Sequence, residues 1–436
     1  MPSSPLLKSP LRAAVMAILL SGLSACRINS PVPAIFDTLA NRYVALAVEL
    51  GEHDSDSLDF YFGSDPTIDK LKHQPESLDN LHRSALSLRE QLNRLPESSS
   101  ADAARKSFLG SQTDAIVLRT EQLMGKNQSF DEESHTFFGI TAPVDNDAGQ
   151  RKILRTQIAT LLGNATNPAE AYARYDSQFI VPADHVPAVM NAALQQCRAL
   201  TLQHVSLPAG ERVDLEYVVH KPWSAFSRYL GNAHSLIQVN MDYPLTVDRI
   251  LDLACHEGYP GHHVFNSLRD QSLVTGMHRN EFRVQLTFSP QSYVSEAAAS
   301  YAPNLALSDA ERLRIKRDLL IPLAGIKRTD TEHYLQVQKL VAGLHTAEPS
   351  IAREYLDDRL EFVRAADALE RETLMQHGET TLLYLNEFRT YMLCYTVGND
   401  SMHSLIESGH PSEAVRWQRY LNLMMNPVVS LPAPTR

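Results

Sequence analysis

The sequence is poor in the residues that build disulfide scaffolds, nucleic-acid surfaces and membrane domains. Only four cysteines occur in 436 residues. With Cys26 set aside for the reason given below, Cys197, Cys255 and Cys394 are an odd number at scattered spacings, which is no disulfide framework. Cys255 reads as a small buried residue. Lys and Arg number 40 against 51 Asp and Glu, a formal net charge of -11. No basic run follows the N-terminus, so the clustered cations that phosphate binding needs are missing and no nucleic-acid partner is expected. Acidity of this size favours solubility and carries no information about substrate. Beyond the first residues no apolar run reaches the roughly 20 residues that cross a bilayer. There is no internal repeat, no low-complexity tract beyond Ser98-Ser99-Ser100, and no GxSxG, P-loop or GxGxxG. Serine hydrolases and nucleotide-dependent enzymes therefore lack their motifs here. A glycosidase using paired acids would leave the histidines described below idle.

What the chain does have begins at its first residues. Lys8 and Arg12 precede a short apolar core, Ala13 to Leu20, and then Leu23-Ser24-Ala25-Cys26. These are the proportions of a secretory signal, removed from the fold. The tetrapeptide resembles the lipobox of bacterial lipoproteins, which implies cleavage before Cys26, lipidation of Cys26 and a membrane anchor. Arg27 in that resemblance implies sorting to the outer membrane, facing the periplasm. The expected division is a signal peptide over 1–25, a helical region over 26–210 and a catalytic region over 211–436.

Helical periodicity dominates the remainder. Leu39 to Leu50, Ala101 to Met124, Arg151 to Leu162 and Val186 to Val205 carry apolar residues three and four apart. Gly, Pro and Asn clusters separate them, which predicts antiparallel helices in the first half. Between Arg212 and Asn240 the period changes: 213–219 and 235–240 alternate apolar and polar, as half-buried strands do. Thr246 is placed to cap the next helix, with Val247, Ile250, Leu251 and Ala254 as its buried stripe. Ser289-Pro290 predicts a capped helix through Glu296 and Tyr301. Further helices are expected over 309–344, 351–375, 380–395 and 412–425, with Pro322 kinking or breaking the first. The predicted fold is mainly α, a multi-helix body with a small β-sheet next to the helix that Thr246 caps.

The segment Cys255-His256-Glu257-Gly258-Tyr259-Pro260-Gly261-His262-His263 carries the chemistry. A catalytic zinc takes three protein ligands, usually His and a carboxylate, and leaves one position for water. A carboxylate outside the ligand set can accept the proton of that water. His256 followed by Glu257 at the end of an amphipathic helix offers one ligand and one base. With 17 His and 51 acidic residues, about two such dipeptides arise by chance, so the signal lies in the context. Four residues after His256 stands Pro260, so a straight helix cannot bring up a second histidine. Spacing alone leaves His262 and His263 both open. A third ligand must come from another helix. Glu296, followed by Ala297-Ala298-Ala299, sits where helices can approach closely, and a desolvated carboxylate there needs a positive partner. Zinc is one such partner and Arg283 is another.

Together these residues resemble a widespread, poorly characterised bacterial family of gluzincin-like zinc peptidases with HExxPGHxxQ and EGWAxY motifs. The resemblance implies His256, His262 and Glu296 as zinc ligands and Glu257 as the catalytic acid–base. Cys394-Tyr395-Thr396-Val397-Gly398 is similar to the family's SYxxG motif, which makes Tyr395 a catalytic candidate for stabilising an oxyanion. The strand ending at Asn240 is expected to hold an extended peptide by edge pairing, the substrate-binding mode where a strand borders a zinc cleft. Phe265 stands where the family has Gln, and Ala297-Ala298 where it has Gly-Trp. The expected activity is hydrolysis of peptide or amide bonds by a lipid-anchored zinc enzyme. The alternative is a catalytically degenerate envelope lipoprotein that binds or scaffolds.

Overall fold

A computed structural model describes residues 31–327, 330–427 and 430–434. The signal segment and Cys26 lie outside the described residues. The described chain is mainly α, with one two-stranded and one three-stranded sheet. None of its helices is long and apolar enough to cross a membrane.

Four helices of the first half cover the segments with apolar periodicity, at Pro31–His53, Ser100–Leu123, Ala148–Leu161 and Val186–Thr201, and a further long helix forms at Leu78–Arg94. Ser77 and Ser99 cap two of them by accepting from backbone N–H groups three residues on, satisfying donors that the first turn leaves orphaned. Pro31–His53, Leu78–Arg94 and Ser100–Leu123 bury a shared core around Tyr43, Leu81, Leu88 and Phe108. That core also takes in Phe282, Val284 and Leu286 from far along the chain. The reason is a short strand with no sequence signal of its own: β1 (Leu58–Tyr61) pairs antiparallel with β5 (Val284–Leu286).

The two predicted strands appear as β2 (Arg212–Val218) and β4 (His234–Asn240), and β3 (Ala225–Gly231) lies between them in sequence. The order across the sheet is β2-β4-β3, with β2 parallel and β3 antiparallel to β4. β4 leads through Thr246, whose hydroxyl accepts from the Arg249 N–H, into the helix Val247–Leu253. The sheet lies beside the His-rich segment, as expected: Ser235 of β4 is hydrogen-bonded to His263.

Two expectations about chain breaks are corrected. The helical path from Asp309 continues through Pro322, preceded by a wide π turn over Lys316–Leu320, and stops instead at Gly325, where φ is +68°. A wide turn before the proline displaces the carbonyl that its ring would meet. The segment 351–375 is two helices, Glu348–Leu356 and Phe362–Thr373, with Asp358 at φ 58° between them.

The reading of the cysteines is also corrected. Cys197 and Cys255 form a disulfide, with Cα atoms 5.5 Å apart and a sequence separation of 58, and Cys394 is a buried free thiol. Scattered spacing hid the pair because only tertiary packing sets Val186–Thr201 against the segment that follows Val247–Leu253. In the chain lacking Cys26, denaturation without reductant should therefore expose one alkylatable thiol by mass spectrometry. Replacing Cys197 and Cys255 together by Ala should lower stability by roughly 2–4 kcal/mol in urea unfolding. Reductant should lower the wild type by a similar amount and leave the double variant unmoved.

Candidate metal centre

The helix that begins at Val247 widens over Ala254–Gly258 into a π turn, in which the Tyr259 N–H donates back to the Ala254 carbonyl at 3.3 Å. Such turns carry one residue more than an α turn and recur at functional sites. Pro260 follows, with a cis Tyr259–Pro260 peptide, and the chain doubles back so that the Gly261 N–H donates to the Cys255 carbonyl at 3.0 Å. A Cβ on Gly261 would stand 1.8 Å from the His256 carbonyl oxygen. Only glycine fits there. A new helix, His262–Arg269, starts at once from this bend.

The bend sends the two adjacent histidines in opposite directions. His262 turns toward His256, with ring centroids 4.9 Å apart. His263 turns to the sheet: its Nδ1 is 2.8 Å from Ser235 Oγ and its Nε2 is 3.0 Å from Glu211 Oε2. Both ring nitrogens of His263 are thus engaged. Glu211 also accepts from the Tyr259 hydroxyl at 2.7 Å and from the Arg198 guanidinium. Burial pushes the Glu211 carboxyl up, but these donors outweigh it and hold the group down at about 2.

Glu296 arrives from the helix Pro290–Ala306, which Ser289 caps and Pro290 opens as the sequence predicts. Its Oε1 is 3.2 Å from His262 Nε2 and its Oε2 is 3.5 Å from His256 Nε2. Arg283, the other partner considered, instead donates to Asn280 and lies over the Phe62 ring. Tyr391 donates to Glu296 Oε1 at 2.9 Å, and Ser295 Oγ lies 3.3 Å from His262 Nδ1. The second contact leaves Nε2 of that ring to face Glu296. Glu296 is 8% exposed, and its Oε2 has no hydrogen-bond partner among the described residues. Burial pushes this carboxyl up, yet His262 and His256 together hold it far below the usual carboxylate range. In return His262 rises to about 9, against the burial that opposes it, chiefly through Glu296.

Glu257 is buried, with Oε1 4.0 Å from His256 Nε2, beside the cluster and outside direct bonding distance. One nitrogen or oxygen each of His256, Glu257 and His262 lie within 4.8 Å of one another, an arrangement able to hold a metal ion. Ligand atoms about 2.0–2.1 Å from a tetrahedral zinc stand about 3.3 Å apart, close to the 3.2 Å between Glu296 Oε1 and His262 Nε2 and the 3.5 Å between Glu296 Oε2 and His256 Nε2. The orphaned Oε2 and the nitrogen–carboxylate donor set fit such an ion.

These groups open onto a cleft. Tyr395 lines it, 40% exposed, its ring centroid 6.2 Å from that of His256. Enclosure of its hydroxyl and the nearby Glu296 charge keep the phenol protonated well above its usual range. Asn240 does not line the cleft, which corrects its expected substrate role. It is fully buried, and its amide donates to the carbonyls of Lys221 and Trp223, closing the loop after β2. The edge-pairing expectation fails for its strand because β4 is the middle of the sheet and both its edges are paired. The cleft is bordered chiefly by β3, with Gln238 the one lining residue from β4.

Three residues near the centre escaped the sequence reading. Tyr391 lies one helical turn before Tyr395, a spacing that could have flagged it. Ser295 adjoins Glu296. Asp59, on β1, reaches the cleft from the other half of the chain, and burial pushes its carboxyl up to about 7, with Glu296 adding to the rise and His262 opposing it. β1 is irregular between Leu58 and Phe60, the kind of bulge that re-aims a side chain. Tyr301, the last residue of the second motif, is structural: it is buried and donates to Glu407.

No family model matches the sequence, and no curated protein matches it, so the family likeness rests on the motif residues alone. Among solved structures, a provisionally assigned lipoprotein of Colwellia psychrerythraea aligns with 82% of this chain at 11% identity and a TM-score of 0.48. The chain spans 66% of that protein, just under two thirds of its length. A carboxypeptidase of Pyrococcus furiosus aligns over 92% of this chain and 90% of its own at 12% identity and a TM-score of 0.48. A carboxypeptidase of Deinococcus radiodurans aligns over 90% of each chain at 13% identity and a TM-score of 0.39. Likeness this distant carries no argument about activity.

The Glu211 network yields a pH test. A carboxyl lowered from 4.5 to about 2 on folding stabilises the fold fully above pH 4.5, and that contribution is lost as pH falls through about 2. In chelator, Glu211→Gln should cost roughly 3 kcal/mol at pH 7 and about half that at pH 3. Urea titrations of both proteins across that range provide the measurement. A pH-independent difference would show that the charge on Glu211 does not contribute.

Proposed function

We propose that this chain is a zinc-dependent hydrolase of peptide or amide bonds, with His256, His262 and Glu296 as the metal ligands. The observation that carries the reading is the convergence of two imidazoles on one buried carboxylate at 3.2 and 3.5 Å, one of whose oxygens has no other partner. When bound, zinc supplies a Lewis acid that polarises a carbonyl and acidifies water. Glu257, beside the ligands and outside their set, accepts a proton from the attacking water and returns it to the amine nitrogen as the C–N bond breaks. Tyr395 donates its phenolic hydrogen toward the carbonyl oxygen as negative charge develops there, a role that requires the protonated phenol. Tyr391 and Ser295 are positioning residues that fix Glu296 and His262, as partners of metal ligands do. β3 borders the cleft and holds an extended peptide along its open edge. Lipidation of Cys26, directed by the lipobox-like Leu23 to Cys26, anchors this hydrolase in the outer membrane, facing the periplasm.

The test is metal content and turnover of residues 27–436. Purified protein should carry about one zinc per chain, and His256→Ala or Glu296→Ala should lose it. Glu257→Gln should keep the metal and lose at least ~100-fold in kcat on a peptide library. A wild type without stoichiometric divalent metal overturns the proposal. A metal-loaded wild type whose peptide cleavage is indifferent to Glu257→Gln returns the chain to the binding or scaffolding role.

A further inference from the structure

Arginines in this chain are widely committed to carboxylates, as at Arg105–Glu281, Arg151–Asp145 and Arg353–Asp131. Two cations on one wall of the cleft are not. Lys221, in the loop after β2, and Arg228, on β3, both line the cleft that holds His256 and Glu257. Both are exposed, and neither is paired with a carboxylate among the described residues. Asp56, Asp59, Glu257 and Glu296 line the same cleft, so acidic groups are at hand and still do not neutralise these two.

The wall between them is rich in further donors. The Asn240 N–H donates to the Ser224 carbonyl, and the register pairs Phe226 with Gln238 and Arg228 with Leu236. In an antiparallel ladder bonded and non-bonded pairs alternate. The peptide groups of Ala225 and Ser227 therefore point away from β4, toward the open edge. Ser227 is 6% exposed, lines the cleft, and its hydroxyl has no hydrogen-bond partner among the described residues. Lys221, Arg228 and the outward N–H groups of Ala225 and Ser227 thus border the same edge of the cleft, while the Ser227 hydroxyl faces the other side of β3 from Arg228. Tyr384, Phe388, Tyr391 and Tyr395 also line the cleft and supply apolar surface.

We propose that Lys221 and Arg228, with the outward N–H groups of the β3 edge, form an anion subsite that takes a carboxylate of the peptide substrate. The inference rests on reading the cleft as a peptide-hydrolase site and adds to it the charge of what is cleaved. A guanidinium and an ammonium presented without internal partners are matched by a carboxylate, which accepts charge-assisted hydrogen bonds from both. The carboxylate has two possible sources, the peptide's own C-terminus or an Asp or Glu side chain. A free C-terminus would make the enzyme an exopeptidase.

Binding can be measured without turnover, in Glu257→Gln protein with its metal content checked. Three fluorescent, N-acylated tripeptides serve as probes: Ala-Ala-Phe with a free carboxylate, Ala-Ala-Phe amide, and Ala-Glu-Phe amide. The free acid should bind about tenfold tighter than its amide. Adding Arg228→Gln and Lys221→Gln should bring the acid-to-amide ratio within about twofold of one. Both positions are exposed, and thermal melts check that the fold is retained. Preference for the Ala-Glu-Phe amide in place of the free acid, lost in the same variants, supports the subsite with a side-chain carboxylate as its ligand. Equal affinity for all three probes, no binding of any, or a ratio that survives the double substitution overturns it. Wild-type turnover with no acid preference would sink the subsite and leave the hydrolase standing. An acid preference that depends on Arg228 and Lys221, without Glu257-dependent turnover, would do the reverse.

Discussion

A carboxylate placed in the interior of a helical protein must be compensated or it will not remain ionised. Glu296 meets that condition through two imidazoles and one phenol, and much of the surrounding structure exists to bring them there. A buried, unpaired charge costs several kcal/mol, so the site and the fold are not separable. The helix carrying Glu296 packs tightly against Val397–Glu407: a Cβ on Gly398 would stand 2.9 Å from the Cβ of Ala297. Alanine and glycine at these facing positions let the backbones approach, and the approach places Tyr391, just upstream, on the carboxylate.

The other half of the centre is held by restraints from outside the motif. The bend at Pro260-Gly261 is gripped on the sheet side by His263, Tyr259 and Glu211, and the residue before His256 is tied by the disulfide to Val186–Thr201. The pairing of β1 with β5 then brings Asp59 to the same cleft from more than two hundred residues away in sequence. Elements from both halves of the chain therefore shape one cavity, with the ligands on its floor. This is the arrangement expected when rigid elements, more than loops, must fix a constellation of side chains.

The sequence exposes the elements with strong periodicity and clear caps: the long helices, β2, β4, and the starts at Thr246 and Ser289. It also exposes His256, Glu257 and Glu296 as unusual in their context. It does not separate His262 from His263, because a proline between a helix and its continuation erases the phase by which one face could be followed to the next. The structure turns His262 to the carboxylates and His263 to Ser235. The sequence also does not show that Asn240 is internal: alternation identifies a strand but not its place in the sheet, and β3, hidden in an irregular run, takes the edge. β1, Asp59 and the Cys197–Cys255 bond depend on contacts between distant segments, which no local pattern encodes.

The π turn at Ala254–Gly258 has a consequence for how such a segment can vary. A turn closed five residues back contains one residue more than its neighbours, and that surplus sets the phase of everything after it. Deleting Ala254 or Gly258 would close an ordinary turn and rotate the chain at that point by about 100°, taking His262 off Glu296 while every ligand stayed in the polypeptide. Substitutions at Gly258 or Tyr259 alter shape locally; a change of length dismantles the centre. Along this stretch the number of residues matters to the centre as much as their identity.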